Sequence, residues 1–174
     1  MRCLVSLLLK FIDLIDKIND QVGKLISFLV IFMIIVMAYE VIARYFFNSP
    51  TIWARETVMF LLGGYALLGG AYVLRHEAHV NMDILYQRLS PKRRAILSLI
   101  TYLLLFLFLA VLLWKGSEYA WRSIGLHETT DSDWGPPEYI IKTIIPIGAF
   151  LLLLQGFAQF IRNMITAITG AKPK

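Results

Sequence analysis

Four long runs of hydrophobic residues separate the polar positions of this chain. They cover about residues 25–47, 55–75, 94–115 and 139–162. Each run is close to the roughly 20 apolar residues that a helix needs to cross a bilayer. Buried helices of a large soluble protein could show such runs, but four of them joined by short loops in 174 residues are not typical of one. The pattern predicts an all-α integral membrane protein with four transmembrane helices.

Residues 4–23, before the first run, show a mixed pattern. Apolar residues recur at helical spacing and charged residues take the positions between them, which predicts an amphipathic helix. The predicted apolar face comprises Phe11, Leu14, Ile15, Ile18, Val22 and Ile26, and the predicted polar face comprises Lys10, Asp13, Asp16, Lys17 and Asp20. Such an arm could lie in the membrane interface or pack against a partner subunit, and the sequence leaves both open. Because acids follow the first apolar run instead of a cleavage site, we expect the N-terminus to be retained.

Composition and charge support this interpretation. Hydrophobic residues make up 58% of the chain and charged residues only 17%, well below the share that coats a soluble domain. Lys and Arg concentrate before residue 25, between residues 75 and 94, and in the tail 163–174, whereas the segment between the third and fourth runs is acidic. Basic loops face the cytoplasm, so we expect both termini there. The single cysteine, Cys3, excludes an intramolecular disulfide.

The first hairpin contains charged residues at the lipid boundary and a turn that can start the second helix. Glu40 is the most deeply embedded acid, and Arg44 follows one helical turn later. They could form a structural pair at the lipid boundary, or Glu40 could bind a proton or cation. In the following turn Ser49 can cap the second helix and Pro50 suits its first position. The hairpin should bring Arg44 near Glu56, either in a structural salt bridge or as a contact for a periplasmic partner.

The spans themselves carry few polar groups. The second contains GGYALLGG, residues 63–70, whose small residues allow close helix packing, either within this chain or against another subunit. Gln155 lies at mid-depth in the fourth, where we expect a hydrogen bond between helices, with a substrate contact as the alternative. Pro146 should kink that helix or lie in its first turn.

No pattern points to catalysis or to a bound metal. His76 and His79 are three residues apart but have no cysteine partner, and no histidine lies inside a span where it could bind haem. The sequence shows no nucleophile–base pair and no phosphate-binding loop. We therefore expect a protein without enzymatic activity, cofactor or metal, and without nucleic acid as a partner.

Three segments, residues 40–56, 63–85 and 136–156, follow one another in a characteristic order around the four runs. In this order the chain resembles the small membrane subunit of tripartite ATP-independent periplasmic (TRAP) transporters, and the resemblance covers about residues 15–165. The positions that look like the family's signature are Arg44, Tyr45, Trp53, Glu56, Gly69, His79 and Asp83. Arg55 departs from the family pattern, because many members carry a second acid before the equivalent of Glu56.

The resemblance implies a role in transport. In such systems a periplasmic binding protein delivers an organic acid, commonly a carboxylate, and a large inner-membrane subunit imports it with sodium. The small subunit is a scaffold that binds neither substrate nor sodium. The signature residues, together with Arg55, would then be candidate contacts to the large subunit or the binding protein. Two other classes stay open: a self-contained four-helix exporter that uses Glu40, and the membrane anchor of a redox complex.

Overall fold

Four long helices, joined by short connections, account for most of the backbone that the structure describes. The computed structural model describes residues 2–76 and 91–169. Four helices make up these ranges: α1 (Arg2–Phe46), α2 (Ile52–Arg75), α3 (Pro91–Leu126) and α4 (Glu138–Thr169). Each contains a stretch long and apolar enough to cross a membrane. The predicted all-α fold with four membrane-spanning helices is therefore confirmed.

The predicted N-terminal arm is the first half of α1. This helix has 45 residues and is about 67 Å long at 1.5 Å per residue, about twice the ~30 Å thickness of a bilayer core. Nothing in the sequence breaks it, because it contains no proline. Its one glycine, Gly23, lies under the ring of Tyr72 in α2, so that a Cβ at this position would sit 2.3 Å from the ring.

The buried face of the arm differs from the predicted one. Ile15 is buried as expected, but Asp16 is also buried, and Phe11, Leu14 and Ile18 are exposed by 54%, 54% and 41%. The reason lies in α4, which offers both an apolar surface and polar partners for this face. Ile12 and Ile15 form an apolar cluster there with Leu154, Ala158 and Ile161. The exposed apolar row remains available to lipid or to a partner.

Helix α4 is the central element of the bundle. It contacts α1, α2 and α3, whereas α3 packs mainly against α4. Backbones approach closely at Gly148, where a Cβ would lie 3.0 Å from the Leu67 carbonyl oxygen. Pro146 lies inside α4, beyond its first turn. Small residues thus determine how near the neighbouring helices can come.

The glycine-rich segment of α2 packs mostly within this chain. Gly63, Gly64 and Gly70 face Ile141, Ile144 and Leu152 of α4. Gly69 differs, since a Cβ built there would meet nothing within 4 Å. Packing inside the subunit therefore accounts for three of these glycines and leaves Gly69 facing outward.

The α2–α4 contact generates a prediction. Gly148→Ala should lower the free energy of unfolding by about 1–3 kcal/mol, because the added methyl group presses on a backbone carbonyl that has no alternative rotamer. Thermal unfolding of the purified protein in detergent measures the effect. The matched control is Gly125→Ala in α3, where a Cβ has open space, and it should be neutral or slightly stabilising. Equal stability of the two variants would contradict the close approach of α2 and α4.

Candidate functional site

Polar side chains gather at both ends of the bundle. We call the end with the α1–α2 connection (residues 47–51) and the α3–α4 loop (residues 127–137) the turn end. The opposite end, where α2 leaves the bundle at Arg75, is the terminal end.

Glu40 closes the α1–α2 connection at the turn end. Its side chain is buried, with only 3% of the residue exposed. One carboxylate oxygen accepts a hydrogen bond from Arg44 Nε at 3.0 Å, and the other accepts from the Thr51 backbone amide at 2.9 Å and from the Thr51 hydroxyl. The Glu40–Arg44 pair expected at this position is present. Both oxygens are engaged, which fits a structural role.

This arrangement also corrects the predicted start of α2. The N-terminal flanking residue is Thr51 rather than Ser49, and α2 begins at Ile52. The amide of Ser49 instead donates to the Ala43 carbonyl at 3.0 Å, so Ser49 satisfies a backbone carbonyl in the last turn of α1. Asn48 has a φ of +49°, the left-handed conformation that commonly ends helices. The capping prediction failed because Glu40 holds Thr51.

The predicted Arg44–Glu56 salt bridge is absent, because each partner is engaged elsewhere. Arg44 binds Glu40 within α1. Glu56 Oε2 accepts hydrogen bonds from Ser132 Oγ at 2.9 Å and from Thr130 Oγ1 at 3.4 Å. Glu56 therefore ties α2 to the α3–α4 loop.

Lys142 fixes the other side of the same loop. Only 9% of this residue is exposed. Its ammonium group pairs with Glu128 and with Glu138, the latter at 2.6 Å, and lies 4.6 Å from the centre of the Tyr119 ring. The hydrogen bond from Lys142 holds the pKa of Glu128 below its usual value of 4.5. Sequence reasoning missed this cluster, although the spacing of Glu138 and Lys142 at i, i+4 was a usable signal.

The turn end also presents side chains outward. Tyr45 is 78% exposed, and Trp53 is 39% exposed with its ring 5.8 Å from that of Tyr39. Arg55 is exposed and makes no ion pair or hydrogen bond within the described residues. The structure thus brings five candidate contact residues to the turn end, namely Arg44, Tyr45, Trp53, Arg55 and Glu56. Gly69 lies farther along α2, and His79 and Asp83 lie outside the described residues.

A polar network joins three helices at the terminal end. Asp16 of α1 pairs with Arg162 of α4 and accepts a hydrogen bond from Gln155 Nε2 at 2.9 Å. Gln155 Oε1 accepts in turn from Asn19 Nδ2 at 2.7 Å. The predicted interhelical bond of Gln155 is therefore confirmed. The Asn19 side-chain oxygen is buried and has no partner among the described residues.

Helix α2 joins this network through its last residue. Arg75 donates to the Asp16 backbone carbonyl and pairs with Asp20, both at 2.8 Å. The backbone carbonyl of Arg75 accepts a hydrogen bond from Gln159 Nε2 at 3.1 Å. A side chain of α4 thus provides a hydrogen-bond partner for the last backbone carbonyl of α2. Apart from Gln155, sequence reasoning assigned none of these residues to an interhelical contact, and it placed Asp16 and Asp20 on the polar face of the arm. The usable signal was that Asp16 and Asn19 follow Ile12 at the i+4 and i+7 positions of one helix face.

The described residues contain no group of three or more His, Cys, Asp or Glu side chains that could hold a metal ion. His76 lies against the Tyr72 ring at 4.4 Å and 3.5 Å from Asp20. Its proposed partner His79 falls outside the described residues. The polar groups at both ends fasten helices and loops to each other.

Four membrane-spanning helices, with buried polar groups that lock the ends, define a multi-pass membrane protein. The chain belongs to the DctQ component family of tripartite ATP-independent periplasmic transporters, whose family model matches residues 33–166. It is a TRAP transporter small permease subunit, located in the inner membrane, and the predicted family is confirmed.

Curated relatives agree with this assignment. The C4-dicarboxylate TRAP transporter small permease protein DctQ of Vibrio cholerae is 25% identical over 175 residues, covering 87% of this chain and 75% of that protein. The sialic acid TRAP transporter small permease protein SiaQ of the same organism is 22% identical over 163 residues, covering 91% and 90%. A stretch of 99 residues is 28% identical to the sialic acid TRAP transporter permease protein SiaT of Haemophilus influenzae, covering 55% of this chain but 16% of that protein.

The network at the terminal end yields a second prediction. Gln155→Leu leaves the Asn19 amide without its partner and removes one hydrogen bond to an Asp16 oxygen that Arg162 still contacts. Burying the amide unpaired should lower stability by about 1–3 kcal/mol. The double variant with Asn19→Leu should lose less than the sum of the two single variants, because it removes the orphaned amide as well. Thermal unfolding in detergent measures all three. Strict additivity would show that Gln155 and Asn19 are not coupled.

Proposed function

We propose that this chain is the fixed, non-transporting subunit of a TRAP transporter. It would support a large permease during sodium-driven uptake of an organic acid that a periplasmic binding protein delivers. The observation that carries this proposal is that the buried charged side chains are paired within the subunit. In the described part of the chain, Asp16, Glu40 and Lys142 are buried, and each is ion-paired inside the subunit. A bundle with its buried charges already neutralised suits a scaffold better than a conduit.

The same observation bears on the exporter alternative. A proton-coupled exporter built around Glu40 would need that carboxylate to exchange protons during transport. Here Arg44 and Thr51 engage both of its oxygens and hold the hairpin closed. Glu40 therefore supports a structural interpretation, and no second candidate function is favoured.

Membrane-embedded surface is abundant for contact with a larger partner. Large apolar side chains are widely exposed on α1 and α3, including Ile35 at 61%, Leu107 at 69% and Phe108 at 60%. The similarity of a 99-residue stretch to a small fraction of a permease protein fits a unit that works beside a larger permease. We place the sodium and substrate sites in that permease and no cofactor in this chain.

The substrate class and the orientation are part of the proposal. The names of two relatives specify a C4-dicarboxylate and sialic acid, and both support an organic acid as the cargo. The distribution of Lys and Arg supports cytoplasmic termini, and with that orientation the turn end would lie in the periplasm. The exposed residues of the turn end would then face the binding protein.

Removing the chain tests the scaffold role. The large permease, reconstituted in liposomes with the loaded binding protein and an inward sodium gradient, should take up substrate at least tenfold more slowly without this subunit. The amount of folded permease in the two preparations is matched by size-exclusion chromatography before the assay. Uptake by the permease alone at the full rate would overturn the proposal.

Arg55 offers the sharper test of docking at the turn end. Arg55→Glu reverses an exposed, unpaired charge without disturbing an internal contact, so it should raise the half-saturating concentration of the binding protein several-fold and leave the maximal rate unchanged. Glu56→Ala is a poorer probe, because it also frees the α3–α4 loop. The matched control is Lys17→Glu, which reverses an exposed charge of α1 at the terminal end, the end of the bundle opposite to Arg55. Unchanged saturation by Arg55→Glu would exclude this residue from the contact.

A further inference from the structure

Side-chain contacts establish which residues of different helices lie at the same level along the bundle. The hydrogen bond between Asn19 and Gln155 aligns α1 with α4. The next residue of α4, Gly156, lies against the Phe106 ring, 3.1 Å from where its Cβ would be. Asn19, Gln155 and Phe106 therefore define one common level on α1, α4 and α3.

A second contact confirms this alignment. Ten residues toward the turn end, Gly116 of α3 lies against Ile145 of α4, with a Cβ-to-side-chain distance of 2.9 Å. Between the two contacts α3 advances by ten residues and α4 by eleven. The two counts agree to within one residue, so levels can be compared by counting residues at 1.5 Å each.

We use 'above' for the direction toward the turn end and 'below' for the direction toward the terminal end. Above the common level, α1 and α3 expose opposite kinds of side chain. Lys115 and Glu118 lie nine and twelve residues above Phe106, and their side chains are 65% and 63% exposed. The residues nine and twelve positions above Asn19 in α1 are Phe28 and Ile31, which are 69% and 57% exposed. Charged groups on one side of the bundle are thus level with bare hydrophobic groups on the other.

Below the common level the relation reverses. Asp13 and Lys17 of α1 are exposed, six and two residues below Asn19. The residues six and two positions below Phe106 in α3 are Ile100 and Leu104, which are 56% and 68% exposed. The charged side is now α1 and the hydrophobic side is α3.

The two other helices take intermediate positions. The uncharged runs comprise residues 25–39 in α1, 57–74 in α2, 143–161 in α4 and 95–114 in α3. With α2 aligned to α4 by the Gly148–Leu67 contact, the centres of these runs descend in the order α1, α2, α4, α3. The total displacement is about 20 Å at 1.5 Å per residue.

We propose that the bilayer surrounds this bundle as an oblique belt, so that the bundle axis is inclined to the membrane normal. An upright bundle would place either the exposed Lys115–Glu118 ion pair in hydrocarbon or Phe28 and Ile31 in water. An ion pair whose open side faces hydrocarbon is still unfavourable, because most of its hydration is lost. The displacement of about 20 Å extends across two to three helix spacings of 8–10 Å. Because the lysine side chain can reach toward water, the effective displacement is somewhat smaller. The resulting inclination is on the order of 30–40°. This lies at the upper end of the range for transmembrane helices.

The partner of this surface is the hydrocarbon of the bilayer itself. The inference does not depend on the proposed function, since it follows from membrane insertion and from the levels of exposed side chains. The predicted belt is high on α1 and low on α3.

Pairs of level-matched cysteines test the belt. In the Cys3→Ser background, single cysteines replace Ile31 and Ser117 above the common level, and Asp13 and Ile100 below it. The assembled transporter is placed in nanodiscs of phosphatidylethanolamine and phosphatidylglycerol and treated with a water-soluble maleimide. The cysteines at Ile31 and Ile100 should react at least tenfold more slowly than their level partners. Nitroxides at these two sites should be more accessible to oxygen than to a water-soluble nickel chelate.

Two results would overturn the inference. Equal reactivity within each pair would mean that the bundle stands upright. Slow reaction at Ile31 and Ile100 together with low oxygen accessibility would mean that protein, not lipid, covers these sites. A nitroxide at Leu109, which is 1% exposed, supplies the reference for a site covered by protein.

Discussion

An unpaired charge in a low-dielectric environment is among the most unfavourable groups a folded protein can contain. This constraint governs how the present bundle is assembled. Asp16 is neutralised by Arg162 of a distant helix, Glu40 by Arg44 one turn away, and Lys142 by two acids that flank the α3–α4 loop. The pairs of Asp16 and Lys142 also join separate chain segments, and Glu40 does so through its hydrogen bond with Thr51. The residues that neutralise or bury these charges therefore also fasten the fold.

The predictable features are those that depend on local sequence. The spans follow from runs of apolar residues, and the Glu40–Arg44 pair follows from i, i+4 spacing on one helix. The ion-pair partner of Asp16 could not be predicted, because Arg162 lies 146 residues away in the sequence. The prediction of an Arg44–Glu56 salt bridge was wrong for a related reason. Sequence proximity suggested the pairing, but a hydroxyl pair in the α3–α4 loop competes for Glu56.

The candidate contact residues divide according to their surroundings. Glu56 is engaged with Thr130 and Ser132 and so maintains the shape of the turn end. Tyr45 and Arg55 point outward and are available to another protein. Family resemblance marks Glu56 and Tyr45 alike, because sequence motifs do not distinguish residues that build a surface from residues that present it. Only the three-dimensional contacts separate the two roles.

The length and continuity of α1 have a mechanical consequence. The helix is fastened near one end at Asp16 and near the other at Glu40, about 36 Å apart at 1.5 Å per residue, with no proline between them. A rod clamped at two distant points resists torque far better than one clamped at a single point. Lateral force at one face of the membrane is therefore transmitted along α1 to the opposite face instead of being absorbed by bending.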